Sequence, residues 1–171
     1  MAVQTLSAAA RLRRLLAQNG LLIAPGAYDC ISARTIEQAG FSAVYMTGAG
    51  TAATLGYPDY GLLTMSEMAD NAGRLAAAVN VPVIADADTG YGNELNVTRT
   101  VREYEKRGVA GVHIEDQGFP KKCGHLDDKT VIALDDLVAL PDFLEQRARR
   151  GLHVFPTRRR SCRARVSRPA T

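Results

Sequence analysis

The stretch Val81-Pro-Val-Ile-Ala-Asp-Ala-Asp-Thr-Gly90 places two carboxylates directly after a short apolar run. Residues 81–85 predict a buried strand, and the polar loop after them leads into a predicted helix over residues 94–107. A buried strand, a polar loop and a helix in this order form the building unit of parallel α/β folds. We therefore expect a parallel sheet with helices packed against it.

The same unit recurs along the chain at a spacing of about 30 residues, which is the usual length of a βαβ unit. A glycine- and threonine-rich loop follows the second strand. Predicted strands cover residues 21–24, 43–46, 81–85 and 111–114, and predicted helices cover residues 1–20, 31–39, 66–79 and 94–107, with a further helix from about residue 133. This alternation allows either a barrel or a doubly wound sheet.

The distribution of polar residues favours the barrel, because such residues follow three different predicted strands. They are residues 45–51, Asp86 with Asp88, Glu115 with Asp116, and residues 121–125. In a (β/α)₈ barrel the carboxyl ends of several strands share the active site. A doubly wound sheet favours one glycine-rich first turn, and Pro25-Gly-Ala27 does not match G-x-G-x-x-G. We predict an α/β fold of the (β/α)₈ TIM-barrel type, truncated to about four βα units after an N-terminal helix.

The composition is that of a globular protein. The 171 residues are 46% hydrophobic and 23% charged, which excludes a disordered or fibrous chain. No apolar run approaches the roughly 18 residues of a membrane span. The three cysteines are far apart and form no CxxC pair, so we expect neither a disulfide scaffold nor a structural zinc site.

The net charge of +3 conceals two unlike regions. Residues 1–140 carry 12 Lys and Arg against 16 Asp and Glu, whereas residues 141–171 carry nine Arg against two acids. The larger region is mildly acidic and gives no reason to expect a nucleic-acid partner.

Asp86 and Asp88 are the sharpest chemical signal. A spacing of two along an extended segment puts both carboxylates on the same side. Like charges this close repel unless a cation lies between them, and oxygen ligands suit Mg²⁺ or Mn²⁺. On spacing alone, an exposed turn that caps the next helix explains the pair equally well. Glu115 and Asp116, at the end of the neighbouring strand, favour the metal site.

A second signal is Lys121-Lys-Cys-Gly-His125. The two lysines and His125 would lower the pKa of Cys123 and make the thiol a usable acid, base or nucleophile. Gly124 would let the backbone approach a ligand and act as a hinge. A solvated basic loop with an incidental thiol is the alternative.

Two further features give weaker evidence of a functional site. The small residues of Thr47-Gly-Ala-Gly50 could expose backbone N–H groups to an anion, but a tight strand-to-helix connection explains them almost as well. His113 lies inside a predicted strand, and we interpret it as a packed histidine rather than a ligand.

Six motifs, in this order, resemble the isocitrate lyase/phosphoenolpyruvate mutase superfamily over about residues 10–140. They are Pro25-Gly-Ala-Tyr-Asp29, Tyr45-Met-Thr-Gly-Ala-Gly50, Gly56-Tyr-Pro-Asp59, Asp86-Ala-Asp-Thr-Gly-Tyr-Gly92, Ile114-Glu-Asp-Gln117 and Lys121-Lys-Cys-Gly-His125. Within the superfamily the last motif marks lyases such as the methylisocitrate, isocitrate and 2,3-dimethylmalate lyases.

The resemblance implies a magnesium-dependent lyase that cleaves a 2-hydroxy di- or tricarboxylate by an aldol-type reaction. Mg²⁺, with Mn²⁺ as the alternative, would be held by Asp86 and Asp88, partly through water, with Glu115 nearby. Full-length relatives would be cytoplasmic homo-oligomers, expected to be homotetramers, without nucleic-acid or membrane partners. A phosphonomutase of the same superfamily and a non-catalytic fragment are the alternatives.

The resemblance also implies roles for residues around the metal. Cys123 would protonate the carboxylate fragment from a loop that closes over the substrate. Tyr45 would act on the hydroxyl side of the substrate, and Asp59 would be an orienting carboxylate of the active site. Substrate contacts would come from Thr47, Gly48, Ala49, Gly124 and His125. Most relatives carry serine in place of Thr47.

The resemblance ends near residue 140. We therefore divide the chain into residues 1–140, the N-terminal half of the barrel, and residues 141–171, an arginine-rich tail without apolar periodicity. The fifth-strand Arg-Thr-Asp motif and a later glutamate of the relatives do not occur here. Our hypothesis is an out-of-frame tail, with a basic nucleic-acid- or lipid-binding tail as the alternative, and we expect little or no turnover from the 171 residues.

Overall fold

The computed structural model describes residues 6–118, 120–124, 126, 129–132 and 151–157. The helices in these residues are α1 (Ala8–Leu16), α2 (Cys30–Gln38), α3 (Gly48–Thr54), α4 (Met65–Ala78) and α5 (Glu94–Lys106). The strands are β1 (Gly26–Ala27), β2 (Val44–Met46), β3 (Val83–Asp86), β4 (Gly111–Glu115) and β5 (His153–Thr157).

The strands form one sheet in the order β1-β2-β3-β4-β5, and each pairs in parallel with the next along the chain. A doubly wound sheet reverses its strand order at a switch point, whereas a barrel adds its strands in sequence order. The unreversed order confirms the predicted barrel-type α/β fold. Because all strands run the same way, their carboxyl ends meet at one edge of the sheet.

The core lies between the sheet and the helices that follow its strands. Buried strand residues pack there against small and branched helix residues. The strands contribute Val44, Met46, Val83, Ala85, Val112 and Ile114, and the helices contribute Ala33, Ala69, Ala72, Leu75, Val97 and Val101. Fully burying a valine- or leucine-sized side chain stabilises a fold by about 1.5–3 kcal/mol. This packing holds the strand ends rigidly, and with them the residues that follow.

Helix starts near that edge are fixed by polar caps. The side chains of Asp29, Thr47, Thr64 and Asn93 each accept a hydrogen bond from a backbone N–H of the first helical turn. Such caps satisfy N–H groups that lack partners within the helix. They also explain why the predicted starts of α2, α4 and α5 agree with the structure to within one residue.

The first strand differs from its prediction. Residues 21–24 are apolar, yet Leu21 is 87% exposed and β1 begins only at Gly26. Pairing starts where Gly26 meets Tyr45 of β2. A Cβ on Gly26 would lie 2.8 Å from Thr47 Cγ2, so close packing requires glycine there. The segment after β2, predicted as a loop, contains α3, which Thr47 caps.

The prediction of no strand in residues 141–171 is wrong for residues 153–157. β5 pairs with β4 over five residues, from Gly111 with His153 to Glu115 with Thr157. Leu152 and Val154 are buried. Proline lacks a backbone N–H but is tolerated in edge strands, and β5 is the outermost strand among the described residues. The helix predicted from about residue 133 and the rest of the tail lie outside the described residues.

The N-terminal helix, predicted over residues 1–20, is confirmed over Ala8–Leu16 as α1, which Ser7 caps and which ends before the predicted stop at Gly20. Leu12, on its buried face, is fully enclosed. In the described part of the chain, no helix is long and apolar enough to cross a membrane.

Candidate metal and active site

The Asp86–Asp88 pair lies at the carboxyl end of β3. Asp86 is the last residue of the strand, and the two residues are only 8% and 5% exposed. Asp86 Oδ2 accepts a hydrogen bond from the Gly48 N–H at 3.2 Å, and its Oδ1 accepts one from the Asp88 N–H at 3.0 Å. Because both carboxylates are buried, the alternative of an exposed capping turn does not describe this pair.

The backbone around the pair is held by neighbouring elements. The Tyr104 hydroxyl of α5, fully buried, donates to the Asp86 carbonyl at 3.1 Å. The Glu115 N–H of β4 donates to the Asp88 carbonyl at 2.8 Å. Asp88 has φ 47°, in the left-handed region that aspartate tolerates better than most residues. The two carboxylates are therefore fixed in position by their surroundings.

Burial makes these two charges costly. It raises the pKa of Asp86 above that of an exposed carboxyl. Burial, aided by the neighbouring Asp86 charge, raises the pKa of Asp88 to about 6. Two buried carboxylates this close need a cation to remain ionised at neutral pH.

Lys121 brings a cation to this site. Its Nζ lies 2.5 Å from Asp59 Oδ1 and also contacts Asp88 Oδ1, and the residue is 4% exposed. Burial opposes the charge, but Asp88 and Asp59 outweigh it and raise the pKa of Lys121. Lys121, which the sequence predicts to acidify Cys123, has its ammonium between two carboxylates. The contact also brings Asp59, from the segment after α3, to the acid pair.

Glu115 ends β4 beside Asp86 and is 5% exposed. Its Oε2 accepts a hydrogen bond from Gln117 Nε2 at 2.5 Å. The Gln117 side chain also brackets the backbone of Lys122, accepting from its N–H at 3.0 Å and donating to its carbonyl at 2.8 Å. Gln117 therefore joins the end of β4 to the loop that carries Cys123.

Tyr45 of β2 and His113 of β4 meet across β3. The Tyr45 hydroxyl lies 3.0 Å from His113 Nδ1, and the two rings pack edge to face with centroids 5.9 Å apart. His113 is packed against the Tyr45 ring, as the sequence predicts, and it also makes this hydrogen bond, which the sequence does not predict. A hydroxyl coupled to an imidazole can pass a proton in either direction.

Two backbone N–H groups at the start of α3 are already hydrogen-bonded within the protein. Thr47 Oγ1 accepts from the Gly50 N–H at 3.1 Å, and the Gly48 N–H is bound to Asp86. This supports the tight strand-to-helix connection. Anion contacts from Thr47, Gly48 and Ala49 stay a prediction.

The Cys123 loop is described in part. Cys123 is partly buried, and the Gly124 carbonyl accepts a hydrogen bond from Lys129 Nζ at 2.6 Å. At the base of the loop, the Gly118 N–H donates to the Thr130 carbonyl at 2.7 Å. His125 lies outside the described residues.

The donor set fits a hydrated Mg²⁺ rather than an ion enclosed by protein. Among the described residues, no three His, Cys, Asp or Glu side chains converge as a ligand group. Mg²⁺ commonly takes one or two carboxylates and keeps several waters. Asp86 and Asp88 supply this pair, and the buried Asp88 Oδ1 already has the Lys121 ammonium as a cationic partner. Glu115, engaged by Gln117, fits a role through water.

Gly48→Ala tests how tightly this pair is enclosed. An added Cβ would lie 2.6 Å from Asp86 Oδ2, so the carboxylate must move. We expect Mg²⁺ affinity to fall by about tenfold or more, as is typical when a residue that orients a metal ligand is changed. Calorimetric titration with Mg²⁺ measures this. Gly73→Ala, on α4 away from the site, is the matched control, and equal affinities in the two variants would contradict the prediction.

These features define a barrel-type α/β protein with a buried acidic site at the carboxyl ends of its strands. The chain belongs to the phosphoenolpyruvate phosphomutase family, whose sequence model matches residues 12–156. The match extends beyond residue 140 and includes most of β5. The resemblance to the isocitrate lyase/phosphoenolpyruvate mutase superfamily is thereby confirmed.

Curated relatives include lyases and a mutase. The chain is 52% identical over 134 residues to 2,3-dimethylmalate lyase of Eubacterium barkeri, covering 78% of the chain and 46% of that protein. It is 47% identical over 127 residues to 2-methylisocitrate lyase of Aeropyrum pernix, covering 74% and 41%. It is 49% identical over 131 residues to the chloroplastic carboxyvinyl-carboxyphosphonate phosphorylmutase of Arabidopsis thaliana, covering 75% and 39%.

Solved structures agree in fold. A crystal structure of 2,3-dimethylmalate lyase, a superfamily member, matches with a TM-score of 0.82 and 42% identity, over 90% of this chain and 53% of that one. Phosphonopyruvate hydrolase in complex with oxalate and Mg²⁺ matches with a TM-score of 0.79 and 28% identity, over 90% and 53%. The chain thus spans about half the length of the proteins it matches.

Proposed function

We propose that this chain carries the metal-binding half of a magnesium-dependent carbon–carbon lyase that acts on a 2-hydroxy di- or tricarboxylate. The observation that carries the proposal is the buried Asp86–Asp88 pair, linked through Lys121 to the loop that holds Cys123. The relatives named as 2,3-dimethylmalate and 2-methylisocitrate lyases support the reaction class.

The two named substrates share the group that reacts. Each has a carboxylate, a hydroxyl and a methyl on C2, and a second carboxylate on C3. Removal of the hydroxyl proton lets the C2–C3 bond break, with C2 becoming the carbonyl of pyruvate. The bonding electrons remain on C3, which must then take up a proton. A bound Mg²⁺ would polarise the 2-hydroxy carboxylate and offset its developing negative charge.

We assign the two proton transfers of this reaction to two side chains of the protein. We assign the hydroxyl proton to Tyr45, whose contact with His113 Nδ1 at 3.0 Å gives the proton a further acceptor. We assign protonation of C3 to Cys123. Asp59 acts as a positioning residue because it holds the Lys121 ammonium at 2.5 Å.

We assign the binding of the substrate carboxylates to two segments of the chain. The first is the start of α3, with Thr47, Gly48 and Ala49, which is tied to Asp86 by the Gly48 N–H. The second is the Cys123 loop, with Gly124 and His125. A homo-oligomeric, cytoplasmic enzyme, as the resemblance implies, stays a prediction.

Two alternative functions, a phosphonomutase and a non-catalytic fragment, predict different results in an assay for pyruvate. A phosphonomutase is favoured by the Arabidopsis relative, but the Lys-Lys-Cys-Gly-His loop is typical of the lyases. A phosphonomutase would release no pyruvate from 2,3-dimethylmalate. A non-catalytic fragment would bind Mg²⁺ and pyruvate without turnover.

The proposal is tested by incubating the chain with 2,3-dimethylmalate or 2-methylisocitrate and measuring pyruvate. We expect pyruvate to form with Mg²⁺ and to stop forming when EDTA removes it. Since only half of the relatives' length is present, turnover is expected to be slow, and long incubations with a coupled assay are needed. Magnesium-independent pyruvate formation, or none at all, would contradict lyase activity in this chain.

A further inference from the structure

We propose that a cavity at the amino ends of β2 and β3 binds a small molecule that carries an oxyanion, as a carboxylate or phosphate group, on an aromatic body. The inference does not rest on the proposed lyase function. It assigns a site to residues of α1 and of the segments before β2 and β3, which the proposed chemistry does not use.

The cavity lies at the end of the sheet opposite the acid pair. Its walls come from α1, from the segment between α2 and β2, and from residues 80–82, which precede β3. Four residue steps along the chain separate Pro82 from Asp86, or about 13 Å at the usual rise of a strand. In barrels of this type the active site lies at the carboxyl ends of the strands. A ligand in this cavity would therefore bind apart from the reacting substrate.

The cavity has the size and part of the apolar lining of a small-molecule site. Its volume is about 540 Å³, and ligand sites in proteins occupy about 300–1,000 Å³. Leu15 and Pro82 line it, and so does Phe41, which is 37% exposed. Gly40, with φ 88°, allows the turn after α2, and the Phe41 N–H donates to the Ile36 carbonyl at 3.4 Å. This turn holds an aromatic ring at the cavity, against which a planar apolar group can stack.

Two arginines of α1 give the cavity its positive charge. Arg11 and Arg14 are three residues apart, so they share one face of the helix, and both line the cavity. Arg11 Nε is buried and has no hydrogen-bond partner in the described part of the chain. A buried donor without a partner costs free energy that an acceptor recovers. Guanidinium groups bind carboxylate and phosphate oxygens through paired hydrogen bonds, so an oxyanion fits these two side chains.

Glu37 offsets only part of this charge. It is the one acidic residue among the described residues that line the cavity. Its Oε1 accepts hydrogen bonds from the Asn80 and Val81 N–H groups, at 2.7 and 3.1 Å. These bonds tie the end of α2 to the segment before β3 and fix two walls of the cavity relative to each other. Two arginines against one glutamate leave the lining with a net charge of +1, which favours an anion.

The test is calorimetric titration of the full chain with phenyl phosphate and with benzoate, in buffer that contains EDTA. EDTA removes divalent ions, and with them any binding of these anions through the proposed metal site. Inorganic phosphate lacks the aromatic body and benzyl alcohol lacks the charge, so these two probes test each half of the ligand. The variants are Arg11→Gln, Arg14→Gln and Phe41→Ala, with Arg99→Gln on α5 as the charge-matched control.

We expect at least one of the two aromatic anions to bind the wild type, and the tighter of them identifies the oxyanion. Arg11→Gln and Arg14→Gln should each weaken that binding by about tenfold, as expected when a hydrogen bond to a charged group is lost. Arg99→Gln should leave it unchanged. Phe41→Ala should weaken binding of the aromatic anion and leave that of inorganic phosphate unaffected.

Arg14 and Phe41 are exposed, so their variants keep the test open if Arg11→Gln does not fold. Binding of neither aromatic anion, or one affinity shared by the three arginine variants, would overturn the inference. Benzyl alcohol that binds as tightly as the anions would overturn it too. None of these outcomes bears on Mg²⁺ binding at the acid pair, so failure here is distinct from failure of the proposed lyase function.

Discussion

Asp88→Asn is expected to weaken Mg²⁺ binding by about a hundredfold or more. The substitution keeps the shape of the side chain but removes one of two anionic ligands from a buried site, where Mg²⁺ depends on its one or two carboxylates. It also removes a charge that the neighbouring Asp86 opposes, so the fold should tolerate it. Lys121 keeps its contact with Asp59. Isothermal titration calorimetry with Mg²⁺ measures the loss directly.

The matched control is Glu94→Gln, which makes the same chemical change at an exposed carboxylate in the first turn of α5. Its Mg²⁺ affinity should equal that of the wild type. Wild-type affinity in Asp88→Asn would mean that the acid pair is structural and that the metal binds elsewhere.

Cys123→Ser is expected to lower the rate of pyruvate formation by about 10²- to 10⁴-fold, the usual contribution of a general acid. A serine hydroxyl is a far weaker acid than a thiol, so protonation of C3 should become slow. Cys123 lies in the loop and not among the proposed metal ligands, so Mg²⁺ affinity should be unchanged. The measurement is the pyruvate rate with saturating Mg²⁺ and 2,3-dimethylmalate.

Cys30→Ser is the control for this second prediction. Cys30 begins α2 and is partly buried against the core, away from the loop. Its substitution should leave the pyruvate rate within a few-fold of the wild type. Equal rates in the Cys123 and Cys30 variants would remove Cys123 from the reaction.

Much of the fold could be predicted from local patterns. Apolar runs such as residues 81–85 and capped helix starts such as Asn93 are signals within a few neighbouring residues. The position of β1 is not encoded locally, because it depends on pairing with β2, and the more apolar Leu21 is exposed. β5 was missed because its few apolar residues stand among arginines and include Pro156, which argues against a strand.

The candidate site was predictable where its residues follow a strand directly. Asp86 and Glu115 end neighbouring strands, so parallel pairing alone brings them to one edge. The Lys121–Asp59 contact joins residues 62 positions apart on two loops, and no periodic pattern encodes it. The hydrogen bond from Gln117 to Glu115 likewise depends on the path of the loop after β4.

We propose that Asp86 and Asp88 form a magnesium site that binds a 2-oxo carboxylate. The most direct measurement is calorimetric titration of the folded chain with pyruvate or oxalate, with and without Mg²⁺. We predict carboxylate binding only when Mg²⁺ is present, and loss of that binding in Asp86→Asn and Asp88→Asn. Carboxylate binding without Mg²⁺, or Mg²⁺-dependent binding that survives both substitutions, would contradict the claim.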